Sequence, residues 1–249
     1  MKWNRPPATV LLSPDEVHVW RAALDLPGPA LQRLRQTLSP EELERAARYH
    51  FNRDRRRFVV RWAALRDIIG RYLDMAPRQL QFVLGQHGKP SIAPGLNQSD
   101  VQFNVAHSGD VALVAITLEN EVGVDVERQR ENVAHADLAE RFFTPAEAAA
   151  LRELPPAKQD AAFFGLWTCK EAYLKGTGMG LSLGLDSFSV SYSSDGPQVW
   201  LNTGDEARPA GQWTLRQLEP GPPYFAALAV NKREWQLKCW QWPGTDQPS

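Results

Sequence analysis

Residues 158–175, KQDAAFFGLWTCKEAYLK, constrain this chain more than any other stretch. Their spacing predicts a helix that carries Phe163, Phe164, Leu166, Trp167, Tyr173 and Leu174 over much of its circumference. A helix apolar on so many sides must be covered on most of them. Charges on it must then be paired or ligating, and it carries Lys170, Glu171 and Lys175. Gly176, Gly178 and Gly180 end the helix and allow backbone to approach a ligand closely.

A second long helix is predicted by DRRRFVVRWAALRDIIGRYL, with Phe58, Trp62, Leu65, Ile69 and Leu73 at helical spacing. Before it, LSPEELERAARYHF reads as a helix with Ser39 as N-cap, Pro40 at N1 and Glu42 closing a capping box. A second box, Thr144-Pro145-Ala146-Glu147, opens a helix that Pro155 and Pro156 stop. Strand-like runs follow each helical region. They are LQFVLG, VQFNVAHSG, VALVAITL and EVGVDVE first, then SFSVSYS, QVWLN, WTLRQLE, YFAALAV and EWQLKCWQW. A short strand, VHVW, precedes them all, and PGTDQPS ends the chain in disordered composition. Helices followed by strands, twice, predict an α+β protein with two similar halves, 1–118 and 119–249.

With 249 residues, 43% of them hydrophobic, the chain has length and apolar content for one large domain or two small ones. A net charge of −1 points to neither nucleic acid nor an anionic membrane as partner. Cys169 and Cys239 are too few for a disulfide framework and lack metal-ligand spacing. No secretory leader and no apolar run of about 20 residues is visible. The expectation is a cytoplasmic protein.

In a strand, residues i and i+2 share a face. The D-x-E of EVGVDVE therefore sets Asp125 and Glu127 side by side, with Val124 and Val126 opposite. Like charges this close repel unless a cation or basic group lies between them. Oxygen-only ligation of this kind suits Mg²⁺, which takes one or two carboxylates, several waters and substrate phosphates. The plainer alternative is a solvated edge strand, with Arg128 and Arg130 as partners. Glu171 and Lys175, four apart on one helix face, are either a surface pair worth about 0.3–0.5 kcal/mol or part of a buried site. His107 is either a phosphate donor or a loop histidine bonded locally, and Lys89 sits in the turn HGKP. The arginines Arg45, Arg48, Arg53, Arg55, Arg56 and Arg57 form either a solvated face or a polyphosphate contact.

In order, GKP (88–90), FNVAHS (103–108), GVDVE (123–127), FFTPAE (142–147) and WTCKEAYLKGTGMGL (167–181) resemble the 4′-phosphopantetheinyl transferases of the surfactin-synthetase type. LDSFSV (185–190) fits the same family, and the matched motifs span over half the chain. The resemblance implies a monomer of two similar α+β halves, a pseudo-dimer with the active site between them. It implies transfer of 4′-phosphopantetheine from coenzyme A to a serine of an apo acyl or peptidyl carrier protein. The products are holo carrier protein and adenosine 3′,5′-bisphosphate, and the reaction needs Mg²⁺. Carried onto this sequence, it makes Asp125, Glu127 and Glu171 the Mg²⁺ ligands, with Glu171 also a base toward the carrier serine. Lys175 steadies charge on the transferred phosphate or protonates the leaving group. Lys89 and His107 contact the 3′-phosphate of coenzyme A and groups near it, and Arg48 and Arg57 are further phosphate contacts. Ala106 stands where the family often has serine, so one hydroxyl contact is absent.

Three rival readings are a Mg²⁺-dependent phosphodiesterase or pyrophosphatase acting on nucleotides like coenzyme A, a non-catalytic carrier-binding protein, and a nucleic-acid module on the arginine run. The near-zero net charge argues against the last. Carrier docking is expected on residues 128–151, where Arg141 stands beside Leu138, Phe142 and Phe143; the plainer reading puts the phenylalanines in the core.

Overall fold

A computed structural model describes residues 1–85, 88–129, 135–178, 184–190, 198–203 (backbone) and 213–244. The backbone divides into two units. One comprises Lys2–Glu119 and the chain from Gln236 onward, and the other Asn120–Trp235 with Met1.

The first unit holds a four-stranded sheet in the order β11-β1-β5-β4. Its strands are β1 (Glu16–Ala23), β4 (Val101–Ser108), β5 (Val111–Leu118) and β11 (Gln236–Gln241). β11 runs parallel to β1 and the other pairings are antiparallel. The helices are α1 (Gly28–Arg35), α2 (Pro40–Ala47) and α3 (Asn52–Leu73), and β2 (Phe82–Leu84) and β3 (Pro90–Ile92) form a hairpin. Trp20, Leu24, Phe58, Leu65, Ile69 and Ile116 belong to one buried cluster of sheet and α3 residues. The tail EWQLKCWQW thus pairs with the first strand of the chain, although sequence position puts it in the 119–249 half.

The second unit is built on an antiparallel sheet in the order β6-β10-β9-β8-β7. These strands are β6 (Val122–Arg128), β7 (Phe188–Val190), β8 (Gln198–Thr203), β9 (Trp213–Leu218) and β10 (Tyr224–Asn231). Helices α4 (His135–Phe142), α5 (Pro145–Glu153) and α6 (Pro156–Thr177) complete it, and α6 packs on β6 and β10. SFSVSYS reaches past β7 to residues outside those described, as do Arg130, Gly180 and most of PGTDQPS.

The two units share one device. In each, a short helix opens with an S/T-P-x-E box whose side-chain and backbone bonds are both formed, at Ser39/Glu42 and at Thr144/Glu147. In each, the box glutamate also holds a buried cation on the following 22-residue helix. Glu42 takes both forks of Arg66 at 2.8 Å, and Arg66 also donates to the carbonyls of Pro77 and Leu80. Glu147 lies 2.9 Å from Lys170, which donates to the carbonyls of Leu185 and Phe188. Each glutamate thus caps one helix and pins the next.

Two helices lie beyond what the sequence pattern predicts. α1 starts at Gly28 after Pro27, with no side-chain cap. α4 occupies the DLAERF segment; Phe143 just after it is core, 3% exposed, while Phe142 is only partly covered.

Candidate active site

Two glycines set the distance between β6 and α6. A Cβ on Gly123 would lie 1.9 Å from the carbonyl oxygen of Ala172, and one on Gly176 would lie 2.7 Å from the Trp213 ring. The strand and the helix therefore touch backbone to backbone. That contact brings the D-x-E of β6 against the Glu171–Lys175 face of α6.

Asp125 is buried, 2% exposed, although β6 is the outermost strand of its sheet. Covering by α6 excludes the solvated-edge reading for this carboxylate. The Lys175 ammonium lies 2.5 Å from Asp125 Oδ1, while Asp125 Oδ2 is buried and has no hydrogen-bond partner among the described residues. Glu127 and Glu171 are half-buried. Burial first, then repulsion from Asp125 and Glu127, push the Glu171 carboxyl above the usual range, with Lys175 acting against them. Burial works against the charged form of Lys175. Asp125, by charge and hydrogen bond, together with Glu171 and Glu127, outweighs it and raises the lysine. The four side chains thus form one electrostatic unit: three carboxylates, one ammonium, and an excess of negative charge.

That excess and the unpartnered Asp125 oxygen fit a divalent cation held partly by substrate oxygens. Among the described residues no three His, Cys, Asp or Glu side chains form a ready-made metal cage. The donor set is open, which suits an ion that keeps waters and substrate phosphates in its shell.

Lys170, next to Glu171 in sequence, belongs to no such site. It is fully buried on another side of α6, paired with Glu147 and lying over the Phe188 ring at 4.4 Å. Burial lowers its proton affinity, and Glu147 opposes that.

The residues expected at coenzyme A belong to the other unit. His107 is a residue of β4 opposite Ala112, not a loop residue, because the VQFNVAHS run keeps pairing with VALVAITL up to the turn. Its ring nitrogens lie 2.7 and 2.8 Å from Arg61 Nη1. Arg61 and Arg45 both stand over the Phe58 ring, at 5.4 and 5.8 Å, and neither has a carboxylate partner among the described residues. Burial lowers the proton affinity of Arg61, and the Arg45 charge adds to this while Tyr49 opposes it. Guanidinium groups match phosphate geometry bidentately. Arg61 lies outside the arginine run, so nothing in the sequence singles it out. Arg57 forks onto Asp25 at 2.6 and 2.8 Å and lowers the Asp25 carboxyl. Arg48 is exposed at the C-cap of α2. Lys89 follows Gly88, whose φ of 75° makes the turn into β3.

One unit thus presents three carboxylates and a lysine at a close β–α contact, and the other holds Arg45, Arg61 and His107 on its own elements. Sequence comparison is more specific. The profile of the 4′-phosphopantetheinyl transferase superfamily matches residues 121–230, and that of the 4′-phosphopantetheinyl transferase N-terminal region matches 28–119. The 4′-phosphopantetheinyl transferase HetI of Nostoc sp. strain PCC 7120 is 40% identical over 96% of this chain and 97% of its own. The 4′-phosphopantetheinyl transferase Sfp of Bacillus subtilis strain 168 is 32% identical over 80% of this chain and 84% of its own. This chain belongs to the 4′-phosphopantetheinyl transferase superfamily. Among the described residues no helix is long and apolar enough to cross a membrane.

Proposed function

We propose that this enzyme transfers 4′-phosphopantetheine from coenzyme A to a serine of an apo carrier protein, with Asp125, Glu127 and Glu171 as Mg²⁺ ligands and Glu171 and Lys175 as the reacting groups. The observation that carries the reading is the coupled set of three carboxylates and Lys175 on β6 and α6, with one Asp125 oxygen unpartnered among the described residues. Phosphoryl transfer depends on positioning and on neutralising charge far more than on covalent help from the protein. Asp125, Glu127 and Glu171 would hold Mg²⁺, which would supply charge neutralisation at the phosphates of coenzyme A. Glu171, set among Asp125, Glu127 and Lys175, takes the proton of the carrier serine. Lys175 stays cationic, held so by its acidic neighbours, and balances charge on the transferred phosphate. Arg45, Arg61 and His107 supply an anion site for the 3′-phosphate, and Lys89, just before β3, is a further contact to it.

Metal dependence tests the centre. Transfer should stop when divalent ions are chelated and return with Mg²⁺, releasing adenosine 3′,5′-bisphosphate. Cleavage of coenzyme A by water, with carrier present and unlabelled, would favour a phosphodiesterase instead.

Two further outcomes are expected. Lys89→Ala and His107→Ala should each raise KM for coenzyme A about tenfold, the weight of one hydrogen bond to a charged group. They should matter much less for 3′-dephospho-coenzyme A; equal losses on both substrates would place them elsewhere. Arg141 is exposed on α4, its guanidinium 5.2 Å from the Phe142 ring. As a steering charge for an acidic carrier, it predicts that Arg141→Glu raises carrier KM several-fold and weakens its salt dependence. KM for coenzyme A should not change. Steady-state kinetics at two salt concentrations read both, and an unchanged carrier KM would move docking off α4.

A further inference from the structure

Trp213 opens β9 and is buried, 2% exposed. Carbons of its six-membered ring lie 2.7 Å from where a Cβ on Gly176 would stand. The indole therefore rests on the bare backbone of the residue that follows Lys175. It also meets the Tyr173 ring edge-on at 5.3 Å, and Tyr173 packs on Phe188 of β7 at 4.9 Å. The ring is thus braced by one aromatic of α6 while it bears on the last turn of the same helix.

Strand register says what that contact does. Gly123 of β6 is opposite Ala229 of β10, and Ala229 is opposite Leu215 of β9. Asp125 and Glu127 pair with Ala227 and Phe225 on one side of that row, and Trp213 pairs with Asn231 on the other. Under α6, β10 thus grades from Phe225 through Ala227 to Ala229. Phe164 of α6 stacks on Phe225 at 5.3 Å, so two rings separate helix and strand at that end. At the other end the floor is two fully buried alanines and Gly123, and the helix comes down until the Ala172 carbonyl meets Gly123. A floor of small residues lets backbones touch but offers nothing to stop the helix from sliding along β6. Trp213 stands where that floor ends, against Gly176.

We infer that Trp213 is a positioning residue for the transfer reaction: its indole fixes how far α6 reaches along β6 and so seats the Lys175 ammonium on Asp125. The inference rests on the role proposed above for Lys175. That ammonium lies 2.5 Å from Asp125 Oδ1, and the two residues belong to different elements. A slide of α6 by less than one residue, whose rise is about 1.5 Å, would part them. A misplacement of about 1 Å in a reacting group costs up to about 10²-fold in rate. Trp213 acts through Gly176 and Lys175, whereas the glycines only permit the approach.

The test works the contact from both sides. Trp213→Phe removes the outer ring carbons that face Gly176, and Gly176→Ala adds a methyl against them. Each should lower kcat for carrier labelling about 10- to 10²-fold. KM for coenzyme A and for the carrier should not change, the pattern of an interaction that acts in the transition state. The double variant Trp213→Phe/Gly176→Ala should recover most of the loss. Its methyl enters space that the indole leaves, with the Gly123 nitrogen as next neighbour at 3.2 Å. Kinetics are run where urea unfolding shows each variant folded, so that stability does not enter kcat. Gly176→Ala and its rescue in the double variant keep the test if Trp213→Phe alone does not fold. A purely structural indole predicts lower urea midpoints with kcat unchanged. That result, or a double variant slowed by the product of the single effects, overturns the inference and leaves the transferase reading in place. Lys175→Ala with wild-type kcat would overturn the reading of Lys175 itself.

Discussion

Glu171→Gln lowers kcat by about 10²–10⁴, the usual weight of a positioned general base, with little change in KM for either substrate. Glutamine keeps the shape of the side chain and removes its charge and basicity. The fold should tolerate the change, because the carboxylate it replaces is half-buried and repelled by Asp125 and Glu127. Single-turnover kinetics with saturating coenzyme A and carrier read the chemical step directly. A variant with wild-type kcat would reduce Glu171 and Lys175 to an ordinary helix-face pair. Unfolding by urea, run beside the kinetics, separates loss of chemistry from loss of structure.

One residue earlier the expected effect is on stability instead. Lys170→Met removes the cation that Glu147 faces in the interior and leaves that carboxylate buried and uncompensated. Breaking a buried pair in this way costs about 3–5 kcal/mol. The carbonyls of Leu185 and Phe188 lose their donor as well. Urea unfolding should show the loss as a lower midpoint. The double variant Lys170→Met/Glu147→Gln should recover much of it, because no charge is then left unpaired. A single variant as stable as the wild type would mean that Glu147 finds water, and that the shared cap-and-pin device carries little of the stability of this unit.

The contrast between Lys170 and Glu171 shows where sequence reading reaches its limit. Neighbours on a helix point roughly 100° apart. On a helix apolar almost all round, the sequence alone does not tell which charge faces the sheet edge and which the interior. The capping boxes were legible because Ser39-Pro-x-Glu42 and Thr144-Pro-x-Glu147 are local patterns with local causes. The second task of each glutamate was not, since Arg66 and Lys170 lie more than twenty residues away in sequence.

Long-range pairing was hidden for the same reason. Alternation and apolar runs mark β11 as a strand, but nothing in them says that it returns to β1. The D-x-E motif predicted a shared face for Asp125 and Glu127. The burial of Asp125 depends on the glycine-mediated approach of α6, which two glycines in separate elements do not announce. Among the expected phosphate contacts, His107 stands beside Arg61, whereas Arg57 is engaged by Asp25. Arginines on one helix look alike in sequence, and only the surrounding acids tell them apart.

The central claim is that the β6–α6 centre moves phosphopantetheine onto a carrier serine. It is tested most directly by the intact mass of an apo carrier protein after incubation with coenzyme A, Mg²⁺ and either the wild-type chain or Asp125→Asn. With the wild type, the carrier should gain the mass of a single phosphopantetheine group, located on one serine. With Asp125→Asn it should stay apo, while the variant keeps a folded spectrum. A carrier that remains apo with the wild type while coenzyme A is cleaved, or one loaded equally well by the variant, would contradict the account.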